Sequence, residues 1–380
     1  MYTVYQHWDP LKVCMVGKSY PPEFYSFIAN SRVRNVLEKI AYETEEDYQK
    51  LIKLLESFGV EVLRPDIPSK DYRDYLTIDG RIAPPPMCPR DYSAMIGSNF
   101  YIDESAYNLN EKWHSWRGDD WPVNPPKNKK EFDLLEDFIK KEIIGLNPNF
   151  AFHNYKWDSV INKISDTNRV IVGEHINTAM TTRIGRDLYF GTNEYLSLED
   201  IQPLRSKYSS MFPDYRCHVV NTGGHNDSTF CPVVPGLIVS LLDIPTYADT
   251  FPGWEVLYLP NQSWAKVDQF LTLKEKNKGK WWVPGEELND QFTNFVEVWL
   301  NHWVGYVEET VFDVNMLVID EKNVVCNNYN EKVFNALKRY NVTPHVINFR
   351  HRYFWDGGLH CITNDLHREG AIKDYFPERG

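Results

Sequence analysis

Two glycine-paired segments hold the residues best suited to chemistry in this 380-residue chain. In Asp356-Gly357-Gly358-Leu359-His360-Cys361-Ile362-Thr363, a thiol follows paired glycines and sits beside an imidazole. Glycines allow positive φ and close backbone approach to a ligand. A cysteine held in such a turn, with a histidine favouring its thiolate, is a candidate nucleophile. The same residues also read as a small buried hydrophobe beside a turn. In Gly223-Gly224-His225-Asn226-Asp227-Ser228-Thr229-Phe230, an extended backbone would direct His225 and Asp227 to one side. One could act as general acid/base while the other holds a cationic group; alternatively, the segment is a polar turn before a strand. A zinc site from His225, Asp227 and the remote His175 is a third reading, but no metal-ligand spacing such as HExxH is present, so no metal is expected. Asp91 after Pro89-Arg90, and Glu174, His175 and Asn177, are further polar residues at strand entrances. The other cysteines, Cys14, Cys88, Cys217, Cys231 and Cys326, lie in apolar settings or beside Pro89 and read as structural.

The elements that must position these residues recur along the chain. A helix is expected after Thr44, which with Asp47 has the spacing of a capping box. Leu51, Leu54, Leu55 and Phe58 follow at helical spacing, Gly59 ends the helix, and Val60 to Leu63 alternates as a strand. The order helix–strand returns at Ile201 to Met211 with Tyr215 to Val220, at Tyr247 with Trp254 to Tyr258, and at Glu331 to Tyr340 with His345 to Ile347. Hairpins are expected at 92–96/100–102, 181–184/188–190, 230–234/237–241 and 316–319/324–326, about Gly97-Ser98, Gly185-Arg186-Asp187, Pro235-Gly236 and Asp320-Glu321-Lys322. Units that cannot each bury a face alone share one core. A ring of modules accommodates the hairpins better than a doubly wound sheet, and would direct the strand-entrance residues to one central pocket.

Composition narrows the function classes. A formal net charge of -12 repels phosphate backbones, so nucleic acid is not an expected partner. No stretch approaches the ~20 apolar residues of a membrane span, and Met1 to Lys12 holds no targeting signal; the chain reads as cytoplasmic. There is no CxxC pair, and the six cysteines are expected to be free. Neither GxGxxG nor GxxxxGK[ST] is present, which disfavours nucleotide-binding folds. Residues 1–380 read as one domain, with a loop insertion around 105–130 rich in Trp, Asn, Pro and Gly.

These motifs, in this order, resemble the glycine/inosamine amidinotransferases of the guanidine-modifying (pentein) superfamily. The matching segments are His7-Trp8-Asp9-Pro10-Leu11 with Val16-Gly17, Gly59 to Asp66, Pro89-Arg90-Asp91, Gly185-Arg186-Asp187, Pro213 to Arg216, His225-x-Asp227-x-Thr229-Phe230 and Gly357-Gly358-x-His360-Cys361-x-Thr363. The resemblance implies a five-bladed pseudo-symmetric α/β propeller with a central site. It also implies a homodimer, a guanidine donor (arginine by family default), an amine acceptor and no cofactor. By carry-over, Cys361 attacks the guanidinium carbon, His225 moves protons, and Asp91 and Asp227 hold the cation. The chain departs from the pattern at Asn177, where the family pairs a carboxylate with the catalytic histidine, and at Met180, where it has a second acid. It departs again at Ile244, where the family has a carboxylate-binding arginine, and at Glu308 and Glu309, where it has serines. The expected acceptor is therefore neither glycine nor ornithine but an amine of secondary metabolism. A deiminase-like hydrolase and a non-catalytic guanidinium-binding protein with a vestigial site are the alternatives.

Overall fold

The computed structural model describes residues 1–76, 81–102, 132–146, 158–172, 176–241, 244, 246–259, 283, 285–286, 288–300, 303 and 313–379. The expected insertion at 105–130, and Glu174, His175, Glu308 and Glu309, lie outside them. Gly97, Gly185 and Gly236 take left-handed conformations, with φ of 58°, 60° and 95°, which L side chains rarely adopt. Each reverses the chain between two short strands of a hairpin.

Among the described residues, fifteen strands form five three-stranded sheets. Four follow one plan, in which an antiparallel hairpin is followed, after a crossover, by a strand parallel to the hairpin's second member. They are β3 (Ser93–Ile96), β4 (Asn99–Ile102) and β5 (Arg169–Val172); then β6 (Thr181–Ile184), β7 (Asp187–Gly191) and β8 (Arg216–Val220). The remaining two are β9 (Phe230–Val234), β10 (Leu237–Ser240) and β11 (Glu255–Tyr258); and β12 (Leu317–Asp320), β13 (Asn323–Cys326) and β14 (Thr343–Val346). The remaining sheet has the same plan but draws on both chain ends. β1 (Leu11–Val16) pairs parallel with β2 (Glu61–Leu63) and antiparallel with β15 (Thr363–Arg368), with Val16 opposite Thr363. The architecture is a five-bladed α/β propeller closed by its own termini.

Hairpin strands are buried along nearly their whole length, whereas β2, β5 and β11 are only partly covered. The hairpins therefore form the inner part of each blade. Helices cross between second and third strands: Ser31–Ser57, Leu198–Met211, the single turn Tyr247–Thr250 and Glu331–Arg339. The first starts at Ser31 rather than after Thr44. Asn30 caps it, accepting from the N–H groups of Arg32 and Val33 at 3.0 and 3.4 Å. Thr44 and Asp47 form no capping box. They lie buried on the helix's inner face, where Thr44 accepts from Trp355 Nε1 at 2.8 Å and Asp47 holds Arg350. The polar spacing reports a tertiary contact, which local patterning does not distinguish from a cap.

The blades meet on a buried charge cluster. Asp365 of β15 accepts from Arg183 of β6 at 2.7 Å, from Arg90 at 3.1 Å and from Arg368 at 2.7 Å. These side chains are at most 4% exposed. Arg183 also donates to the Met95 carbonyl of β3, and Arg368 to the carbonyls of Asp9 and Val318 at 2.8 Å. One carboxylate thus anchors guanidinium groups that bind four of the five blades.

Removing one partner of a buried ion cluster costs about 3–5 kcal/mol, because the other charges remain desolvated. Asp365→Asn is expected to lower the chemical unfolding free energy by about that amount. Glu369→Gln, which breaks the exposed pair with Lys12, is expected to leave the unfolding midpoint unchanged; equal behaviour of the two variants would refute the central role of Asp365.

Candidate active site

Cys361 lies in the turn between the short helix Arg352–Trp355 and β15, and is 4% exposed. The left-handed residue of this turn is Asp356, at φ 50°, and neither Gly357 nor Gly358 has positive φ. Gly357 is needed for another reason: a Cβ there would stand 2.7 Å from Cys88 Sγ. Gly357 therefore supplies close packing here rather than an unusual φ.

Side-chain oxygens capture the amides of the cysteine turn. Leu359 N–H donates to Asn327 Oδ1 at 3.3 Å, and those of His360 and Cys361 donate to Asn315 Oδ1 at 2.8 and 3.2 Å. From the opposite side, Arg90 Nε donates to the carbonyls of His360 and Thr363 at 3.0 and 3.1 Å. The central charge cluster thereby reaches the nucleophile turn directly.

Cys361 Sγ lies 3.2 Å from Asp227 Oδ2 and 2.9 Å from Asn315 Nδ2. The same Asp227 oxygen is 2.8 Å from His360 Nδ1. Burial pushes the thiol well above its ordinary range, and the carboxylates of Asp227 and Asp91 push in the same direction. Cys361 thus rests as a thiol that donates to Asp227. Burial would also raise Asp227, but the bond to His360 and the positive potential of His360, His225 and Arg90 outweigh it and hold it at about 2. Burial, followed by Arg90, lowers His360 to about 4. At neutral pH, an uncharged His360 must therefore donate its Nδ1–H to an ionised Asp227. The other carboxylate oxygen, Asp227 Oδ1, is buried with no hydrogen-bond partner among the described residues. Unpaired buried acceptors are costly, so this oxygen is an acceptor in waiting.

His225 stands nearby in the turn before β9, its Nδ1 3.8 Å from Asp91 Oδ1. Both side chains are about a third exposed, at 35% and 29%, so this rim faces solvent while Cys361 and Asp227 lie behind it. Asn177 is exposed, and its side-chain oxygen accepts from the N–H of Met180 at 3.3 Å, closing its own turn. Met180 and Ile244 are buried, Ile244 within the apolar cluster of β9 and β10. The structure therefore brings Cys361, Asp227, His225 and Asp91 together, while Asn177, Met180 and Ile244 serve turn and core. A cavity of about 10 Å³ adjoins Asp227 and His360 and is lined also by His7 and Asn226. It has room for about one water. Among the described residues no group of three His, Cys, Asp or Glu could hold a metal ion, and no helix is long and apolar enough to cross a membrane.

Two participants escaped the motif reading: Asn315 and, as a ligand of Asp227, His360. Asn315 lies two residues before β12, as Asp91 and Cys361 lie two residues before β3 and β15; Asp227 and Asn177 lie three and four residues before β9 and β6. Applying the strand-entrance pattern to the fourth hairpin would have found it.

A buried thiol with carboxylates beside it thus sits on a propeller of five three-stranded blades. No family model matches the chain. It is 22% identical to the mitochondrial glycine amidinotransferase of Xenopus tropicalis, over 98% of this chain and 84% of that one. It is 20% identical to the L-arginine:L-lysine amidinotransferase of Pseudomonas savastanoi pv. phaseolicola, over 98% and 96%. Among solved structures it superposes on SxtG, an amidinotransferase of the saxitoxin pathway from Microseira wollei, with a TM-score of 0.59, 16% identity and 99% coverage of each chain; this likeness establishes the fold. Over nearly its whole length the chain is thus similar to amidinotransferases, and it shares their fold.

His360 is expected to titrate near pH 4, well below the usual 6.5. The unfolded chain then binds a proton that the folded chain resists, so lowering pH from 6.5 to about 4 destabilises the fold through this group. Histidine-selective NMR titration, assigned with His360→Asn, would measure the midpoint. A value near 6.5 would contradict the buried neutral pairing with Asp227.

Proposed function

We propose that this enzyme moves an amidino group from a guanidine donor, arginine by family default, through an amidino-Cys361 intermediate to an acceptor amine. The observation that carries this reading is the sulfur's surroundings: a carboxylate oxygen at 3.2 Å, with the cysteine's own N–H already bound to Asn315. An acyl-transfer site needs free donors where an oxyanion develops. Here the nucleophile's amide is occupied and the nearest charge is negative, so the fitting electrophile is a cation. A planar guanidinium satisfies the waiting Asp227 Oδ1 and the Asp91 carboxylate through charge-assisted hydrogen bonds.

Arrival of that cation offsets the field of Asp227 and Asp91, which favours the thiol in the empty site. His225 takes the thiol proton, and the sulfur attacks the guanidinium carbon. The C–N bond to the donor amine then breaks while His225 returns the proton to that amine. The acceptor amine next attacks the amidino carbon, yields a proton to His225, and displaces the sulfur. Two displacements at carbon replace one harder step.

The choice of acceptor rests on four positions. Ile244 and Met180 are apolar and buried, where the family pattern has an arginine and an acid, and Glu308 and Glu309 replace a serine pair. Loss of a cation and gain of acids disfavour a carboxylate-bearing acceptor. We therefore assign an amine other than glycine or ornithine, such as one of secondary metabolism. We place Asn177 at the family's histidine-orienting position as a group acting through its own turn.

Incubation with arginine and no acceptor, followed by intact mass measurement, is expected to show a gain of one amidino group that is absent in Cys361→Ala. If arginine gives no gain, carboxylate-free guanidines are the next donors. Absence of an adduct with all of them would overturn the proposal.

A further inference from the structure

Asn315 is 1% exposed and uses every hydrogen-bonding site of its side chain. Oδ1 accepts from the His360 and Cys361 amides, and Nδ2 donates to the Asp227 carbonyl at 3.1 Å and to Cys361 Sγ at 2.9 Å. Its carbonyl in turn accepts from Asn327 Nδ2 at 2.8 Å. The two ends of an amide are often hard to tell apart, but only one orientation works here. Rotating the group would set its NH₂ against two N–H donors and its oxygen against a carbonyl. The sulfur therefore faces an N–H donor by necessity.

We propose that Asn315 is a catalytic residue whose Nδ2–H stabilises the Cys361 thiolate, while its Oδ1 holds the turn that aims the sulfur. Sγ lies between one acceptor and one donor. In the empty site, S–H donates to Asp227 Oδ2 and the sulfur lone pair accepts from Asn315. Once the thiol proton has left, the Asp227 contact becomes repulsive, while the Asn315 contact strengthens as a charge-assisted bond. The two backbone donors on Oδ1 polarise the amide and strengthen Nδ2–H further. A neutral donor suits this site, since a cationic residue beside the sulfur would repel a guanidinium.

The inference rests on Cys361 being the nucleophile, as proposed above, but its test requires no guanidine. Iodoacetamide alkylation of Cys361, followed by peptide mass mapping across pH, reports the thiolate fraction: the thiolate displaces iodide and buffer takes the thiol proton. Asn315→Ala and Asn315→Asp are each expected to raise the alkylation midpoint by at least about one pH unit, or roughly tenfold slower alkylation below it. Asn327→Ala loosens the same turn through Leu359 N–H and the Asn315 carbonyl without touching the sulfur. It is expected to leave the midpoint unchanged. Should either Asn315 variant fail to fold, the other carries the comparison. An unshifted midpoint in a folded Asn315 variant would overturn the proposal, as would an equal shift in Asn327→Ala. Failure of guanidines to form adducts, with the alkylation shift present, would count against amidino transfer alone.

Discussion

The whole architecture depends on the Asp365 carboxylate and the three guanidinium groups around it. Four charges this deep would be ruinous singly, yet each guanidinium also finds a backbone carbonyl. Those carbonyls belong to different blades, so closure of the ring and satisfaction of the buried guanidiniums are one event. Asp365 lies on the strand that joins the C-terminus to β1, and Cys361 lies just before that strand. The chain thus completes its barrel of blades and sets its nucleophile with the same segment.

Charge balance at the centre also governs the chemistry at the mouth. Three guanidiniums against one carboxylate leave the interior positive, and Arg90 is among the influences that depress both His360 and Asp227. A neutral histidine donating to a firmly ionised aspartate is the result. Outside it, Asp227, Asp91 and the buried thiol present a surface that welcomes a cation and opposes an anion. The potential thus runs from a positive hub to a negative rim.

Four blades send a residue into this centre from one topological position, the approach to the first strand, and the fifth uses that position for Asn177, which closes its own turn. Asp91, Asn177, Asp227, Asn315 and Cys361 occupy it in the five blades. Convergence follows from geometry: the inner ends of the hairpins surround one axis, so strand entrances become neighbours despite separations of scores of residues. Departures at Asn177, Met180 and Ile244 fall where side chains close a turn or fill the core. They therefore leave the thiol, the aspartates and the hub undisturbed.

Much of this was legible in the sequence because its determinants are local. Turn glycines, apolar runs and helix stops are short-range signals, and they specify the hairpin–helix–strand period and hence the blades. Cys361, His225, Asp227 and Asp91 stand out because reactive types cluster beside glycines and strand entrances. Asn315 did not, since a lone asparagine before a strand carries no chemical signature until its amide is seen between two N–H groups, a carbonyl and a sulfur. Thr44 and Asp47 misled for the same reason: a contact with Trp355 or Arg350, some three hundred residues away, leaves the spacing of a cap. The sequence by itself determined the period and the reactive groups. Only the tertiary structure decided which oxygen faces the thiol, which amides are occupied and which charges share the interior, because those interactions join residues that have no local relation along the chain.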